Sequence, residues 1–115
     1  MNVSSESLDP KRCAAALRAL ADPDRLRIVT CLRGGPKNVS DLAQALQIEV
    51  VNLSHHLAVL RRADLVQTEK QGRFVIYSLS ANFFTPTPHS SAADFFNLGC
   101  CRLEIPKRRK VSNAS

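Results

Sequence analysis

A chain of 115 residues has room for one domain around one hydrophobic core, and is small enough that pairing of two copies would add useful burial. Sixteen Lys and Arg against ten Asp and Glu give a formal charge of +6, which points to a polyanionic partner, nucleic acid or membrane surface. No apolar run is long enough to span a bilayer, and the opening MNVSSESLDP lacks the charged-then-apolar order of a signal peptide, so a soluble, cytoplasmic protein is expected.

Residues 1–7 are polar and expected to form a flexible N-terminus. In LDPKRCAAALRAL, Asp9 is placed to cap a helix and Pro10 to take its first position, where a missing amide hydrogen costs nothing. Leu8 and Cys13 then hold the hydrophobic-staple positions, with Cys13 in the first turn. ADPDRLRIVTCLRGG repeats this arrangement with Asp22 and Pro23. Leu26 and Val29, widened by Ile28, Cys31 and Leu32, trace its apolar face, and Gly34 and Gly35 end the helix. Cys31 reads most simply as a small core residue.

NVSDLAQAL predicts a short third helix capped by Asn38, with Leu42, Ala43 and Leu46 inward. After only QIE comes VVNLSHHLAVLRRADL, a longer helix with Leu53, Leu57 and Leu60 as its stripe. Two helices across so tight a turn, the second polar and basic opposite its stripe, form a helix-turn-helix. LVQTEKQGRFVIYSL then alternates with the period of strands, and Gln71-Gly72 supplies the turn of a β-hairpin with Glu69, Lys70 and Arg73 at its tip.

Pro86 and Pro88 in NFFTPTPHSSAA make a linker that permits no helix before about Ser90. SAADFFNL is expected as a short last helix, ended by Gly99, whose Phe95, Phe96 and Leu98 need a partner surface. The expected organisation is thus a flexible 1–7, a winged helix-turn-helix over 8–80, a linker, last helix and cysteine pair over 81–105, and a basic disordered tail over 106–115. The fold class is mainly α with one β-hairpin.

ALADPDRLRIVTCL, VSDLAQAL, LSHHLAVLRRADLV and RFVIYSL, in that order and spacing, resemble the ArsR/SmtB family of winged-helix transcriptional repressors over roughly Ala14 to Leu79. The resemblance implies a homodimer, joined through its first and last helices, whose two recognition helices enter successive major grooves of an operator. An α-helix fits that groove, and side chains near its N-terminal half reach base edges. Asn52, Ser54 and His55 are the candidates for base edges or phosphates, and Val50 for a thymine methyl, while His56 and Leu57 point inward. Arg61 and Arg62 either reach phosphates or pair with Asp64 and Asp41; Lys70 and Arg73 on the wing are phosphate or minor-groove candidates.

In a reducing cytosol Cys13, Cys31, Cys100 and Cys101 are expected as thiols, ligands or redox sensors rather than a disulfide framework. The resembled family includes sensors that release DNA when a metal or metalloid binds, at sites that differ between members. The Cys-x-Cys of one such site is absent from KNVSDL, and the Asp-x-His of another is reduced to His89, with Thr87 in place of the aspartate. What remains is Cys100-Cys101, a vicinal dithiol suited to As(III) or Sb(III), which takes three sulfurs. Cys13 is the candidate for the third, its thiol favoured as thiolate by the helix start and by Lys11 and Arg12.

Zn(II) or Cd(II) is less favoured, because zinc wants a fourth ligand from His89 or Glu104. Two alternatives stay open: a thiol-redox response of the same cysteines, and a constitutive DNA-binding protein with no inducer. An enzyme is not expected, since there is no Cys-x-x-Cys in a βαβ context, no Gly-rich cofactor loop and no hydrolase pattern.

Overall fold

A computed structural model describes residues 9–85 and 93–106. Four helices come first: α1 (Pro10–Leu20), α2 (Pro23–Leu32), α3 (Val39–Leu46) and α4 (Val50–Arg62). Strands β1 (Lys37–Asn38), β2 (Val66–Gln71) and β3 (Phe74–Leu79) form one antiparallel sheet in the order β1-β3-β2. Strands β4 (Phe84–Thr85), β5 (Ala93–Asn97) and β6 (Arg102–Pro106) form a second, in the order β4-β5-β6. Among the described residues no helix is long and apolar enough to cross a membrane.

The helix starts follow from local side-chain chemistry. The Asp9 carboxylate accepts from the backbone N–H of Lys11 at 3.1 Å, and Asp22 accepts from those of Asp24 at 2.9 Å and Arg25 at 3.1 Å. Asn38 accepts from Asp41 at 2.8 Å. Each bond satisfies an amide that the helix itself leaves without a partner. Between α3 and α4, Gln47 adopts a left-handed conformation (φ 56°) and only Ile48 and Glu49 follow before the next helix, which fixes the helix-turn-helix corner. Leu8, proposed above as one half of a staple, lies outside the described residues, as do residues 1–7, His89 and the tail from Lys107 onward.

One core joins all parts. Ala16 and Leu20 of α1, Ile28, Val29 and Leu32 of α2, Leu42 of α3, and Leu53, Leu57 and Leu60 of α4 are buried together with Leu65 and Val66. Phe83, Phe96 and Leu98 belong to the same cluster, so the second sheet is packed onto the helices. The Arg33 guanidinium at the end of α2 donates to the Asp94 carboxylate of β5 at 3.0 Å, with both side chains largely dry. Cys31 is half-buried against this core, as expected of a small apolar residue, whereas Leu26 stands 48% exposed and off the stripe assigned to it.

Four expectations are corrected. The short last helix does not form: SAADFFNL contributes β5, whose Phe96 pairs with Phe84 on one side and Leu103 on the other. Aromatic side chains suit a pleated surface, and here Phe96 is buried while its neighbour Phe95 is half-buried under the Arg102 guanidinium, 4.4 Å from its ring centre. The dimer expected through the first and last helices therefore has no last helix among the described residues. The segment after residue 80 is no simple linker either, since Phe83 is buried and Phe84–Thr85 is a strand. In the hairpin, Gln71 pairs with Phe74, so the turn is Gly72-Arg73, with Gly72 at φ 62° as a two-residue hairpin loop requires.

Candidate functional site

The eight residues assigned to DNA lie on two neighbouring elements. Val50, Asn52, Ser54, His55, Arg61 and Arg62 are all exposed along α4, opposite the buried Leu53, Leu57 and Leu60. Lys70 near the end of β2 and Arg73 in the hairpin turn are exposed at the tip of the wing. Between helix and wing runs an open cleft of about 430 Å³ lined by Ser54, Ala58, Arg61, Arg62 and Tyr77. Arg61 and Arg62 sit in the last turn of α4, where cations also complement the helix dipole. The alternative partner suggested for them, Asp64, is held by other residues: it accepts from Arg12 at 3.1 Å and from Asn82 at 2.9 Å.

The inner side of α4 is tied to α2 by a polar cluster that sequence reasoning did not single out. His56 Nδ1 lies 3.2 Å from an Arg25 guanidinium nitrogen, which assigns Nδ1 as acceptor and leaves Nε2–H facing the Asp24 carboxylate at 3.8 Å. Asp22 is 4.0 Å from the same ring. The Arg25 backbone N–H, followed by the charge of the Arg25 guanidinium and by the Asp24 amide, holds the Asp22 carboxyl below its usual value against the opposing effect of burial. Asp22, Asp24 and His56 thus bring three ligand-type atoms together, but Arg25 and Arg27 already serve them, with Arg27 donating to Asp24 at 3.1 Å. The cluster ties α4 to α2, and a cation there would meet two guanidinium groups.

A second grouping is made of sulfur. Cys13, in the first turn of α1, is buried; Cys100 and Cys101 are exposed in the turn between β5 and β6. That turn is held by the Gly99 N–H donating to the Asn97 side chain at 3.0 Å and by the Leu98 N–H donating to the Cys101 carbonyl at 2.9 Å. Gly99 has φ 92°, a conformation in which a side chain would be strained. Cys13 and Cys100 form a disulfide across 87 residues of sequence with Cα atoms 6.1 Å apart, and Cys101 Sγ lies 3.9 Å from Cys100 Sγ. All three sulfurs are within 4.8 Å of one another in a single chain. Cys101 and Cys31 are free thiols, and Cys31 lies outside the group. Glu104, on β6, is exposed and not part of it.

Comparison with known proteins places the helix-turn-helix part of the chain. Residues 22–68 match the model of the bacterial regulatory protein, arsR family. The HTH-type transcriptional regulator NmtR of Mycobacterium tuberculosis is 50% identical over 66 residues, 57% of this chain and 55% of NmtR, so the likeness spans little more than half of that relative. The arsenical resistance operon repressor of Staphylococcus xylosus is 36% identical over 64% of this chain and 70% of its own. Among solved structures, reduced HlyU from Vibrio cholerae superposes with a TM-score of 0.60 at 33% identity, covering 69% of this chain and 83% of HlyU.

Proposed function

The chain belongs to the arsR family of bacterial regulatory proteins, DNA-binding transcriptional regulators built on a winged helix-turn-helix, and from that premise we propose that it is a repressor that releases operator DNA when As(III) or Sb(III) is taken up by Cys13, Cys100 and Cys101. In this reading α4 enters the major groove, with Asn52, Ser54 and His55 at base edges or phosphates and Val50 against a thymine methyl. Lys70 and Arg73 hold the backbone from the wing, and Arg61 and Arg62 add phosphate contacts. Two copies meet on α1, where Leu17 is 40% exposed, so that a palindromic operator is read by two recognition helices.

The observation that carries the sensor half is the convergence of three sulfurs within 4.8 Å. Soft thiolates suit a thiophilic metalloid, and three of them match its preferred number. Uptake exchanges the three hydroxyls of arsenous acid for three sulfurs, with three waters released. It requires the Cys13–Cys100 disulfide to be opened first, two electrons and two protons coming from a cellular dithiol. Zn(II) or Cd(II) is the weaker match, lacking a fourth ligand among the described residues of the group.

The disulfide itself favours a second reading, in which oxidation of Cys13 and Cys100 is the signal and no metalloid is needed. Fluorescence anisotropy of the reduced protein on its promoter DNA, titrated with arsenite and separately with a mild oxidant, separates the two. Release by arsenite that disappears in Cys100→Ser/Cys101→Ser, with operator affinity retained, is the expected result. Release by oxidant alone, reversed by a dithiol, selects the redox reading. Affinity unchanged by either additive removes the sensor and leaves a constitutive DNA-binding protein.

A further inference from the structure

Of the exposed side chains on α4, two neighbours are apolar: Val50 is 51% exposed and Val51 76%. They occupy the first turn of a helix whose inner side is already filled by Leu53, Leu57 and Leu60. Local structure gives no reason for them. β-branched residues lose rotamer freedom in a helix, and first turns favour small polar or acidic side chains. The other three helices begin with a side-chain cap, whereas α4 begins with Glu49, which makes none, followed by the two valines. Core packing gives no reason either, since Val51 is among the most exposed large apolar residues described.

The surroundings identify what covers the pair. Ser54 and His55 lie one turn further along the exposed side of the same helix, and Arg61, Arg62, Lys70 and Arg73 are exposed beyond them on helix and wing. A surface with cations on its flanks and an apolar patch at the helix tip is complementary to a polyanion that carries an isolated apolar group. In the DNA major groove that group is the C5-methyl of thymine.

We propose that Val51, together with Val50, sets the sequence preference of this protein by packing on thymine methyl groups, while the arginines and Lys70 supply affinity that is independent of sequence. This rests on the DNA-binding reading above and adds to it a specificity determinant, Val51, and the class of base step selected. Thymines are required at the end of each half-site that meets the start of α4. Adenine, cytosine and guanine offer no apolar group at that edge, and the valines in turn leave their polar atoms without a partner.

The test uses reduced full-length protein and duplexes recovered by selection from random sequence. Each thymine of the recovered site is replaced in turn by deoxyuridine, which removes the methyl and keeps the base-pairing edge. Affinity should fall about three- to fourfold at the contacted positions, the loss of one buried methyl each. Val51→Ser should bring the thymine-to-uracil ratio at its position to one; its exposure makes the fold indifferent to the change. A site that is selected but insensitive to uracil at every position overturns the methyl reading and leaves DNA binding intact. A Val51→Ser protein that keeps the full ratio overturns the assignment to Val51. Failure to bind or enrich any duplex overturns the DNA-binding reading itself.

Discussion

Asp94→Ala should weaken the packing of the second sheet on the helices. The Asp94 carboxylate is 5% exposed and the Arg33 side chain 14%, with 3.0 Å between them. Removing the acid strands a guanidinium whose Nε already has no hydrogen-bond partner among the described residues. Breaking a buried pair from one side costs about 3–5 kcal/mol, and the residual water access of Arg33 places this case near 3 kcal/mol. For a domain of this size that corresponds to a fall in Tm of roughly 10–15 °C. Urea unfolding at 25 °C followed by circular dichroism measures it, and titration of free thiols under mild oxidation reports whether Cys13 and Cys100 still pair. Arg33→Met/Asp94→Leu, which removes both charges and keeps the volume, should recover most of the loss. An Asp94→Ala protein within about 1 kcal/mol of the parent, with its disulfide formed at the parent rate, would refute the view that this ion pair anchors the sheet.

Two further outcomes are expected. Lys70→Ala should weaken binding to every duplex and lower the slope of log affinity against log salt by about one unit, measured by anisotropy across a salt series; an unchanged slope removes the wing from the interface. The Asp22 carboxyl is held below its ordinary value of 3.8, chiefly by the backbone N–H of Arg25. Its contribution to stability is therefore complete above that value and lost as pH falls through the lower folded one. Asp22→Asn should flatten the acid limb of the stability curve below about pH 4, and an unaltered acid limb would mean the group titrates as in the unfolded chain.

The parts of this fold that were legible in the sequence are those decided by local chemistry. Asp9, Asp22 and Asn38 cap helices because a short side chain with an acceptor oxygen can reach an amide two or three residues on, whatever else the chain does. The spacing of Leu53, Leu57 and Leu60 gives the buried side of α4 in the same way. What failed was decided at a distance. SAADFFNL is too short for its period to separate helix from strand, and it became a strand because Phe84 and Leu103 lie on either side of Phe96. The meeting of Cys13 with Cys100 spans 87 residues and depends on that sheet, so sequence could nominate the sulfurs but not place them in one chain. Val51 carried a visible signal, an apolar residue next to Val50 in a first turn, and only its exposure gave the signal meaning.

The sulfur group and the recognition helix are connected within one protomer, and magnitudes indicate by which route. Arg12, next to Cys13, donates to Asp64, which ends α4 in a left-handed conformation (φ 64°), and Asn82 donates to the same carboxylate. This shared carboxylate joins α1, the end of α4 and the chain leading to the second sheet. Both partners of the ion pair are about half exposed, however, and such a pair contributes at most about 1 kcal/mol. An effector that alters DNA affinity tenfold must bind two arrangements of the protein with a difference of about 1.4 kcal/mol. The exposed ion pair falls short of that, whereas α1 and α4 also share one dry core, which holds Cys13, Ala16 and Leu20 together with Leu57 and Leu60, and small shifts in such a core alter many close contacts at once. In the proposed sensor, a change of bonding at Cys13 would reach α4 mainly through this core, with the Arg12–Asp64 pair as the weaker link.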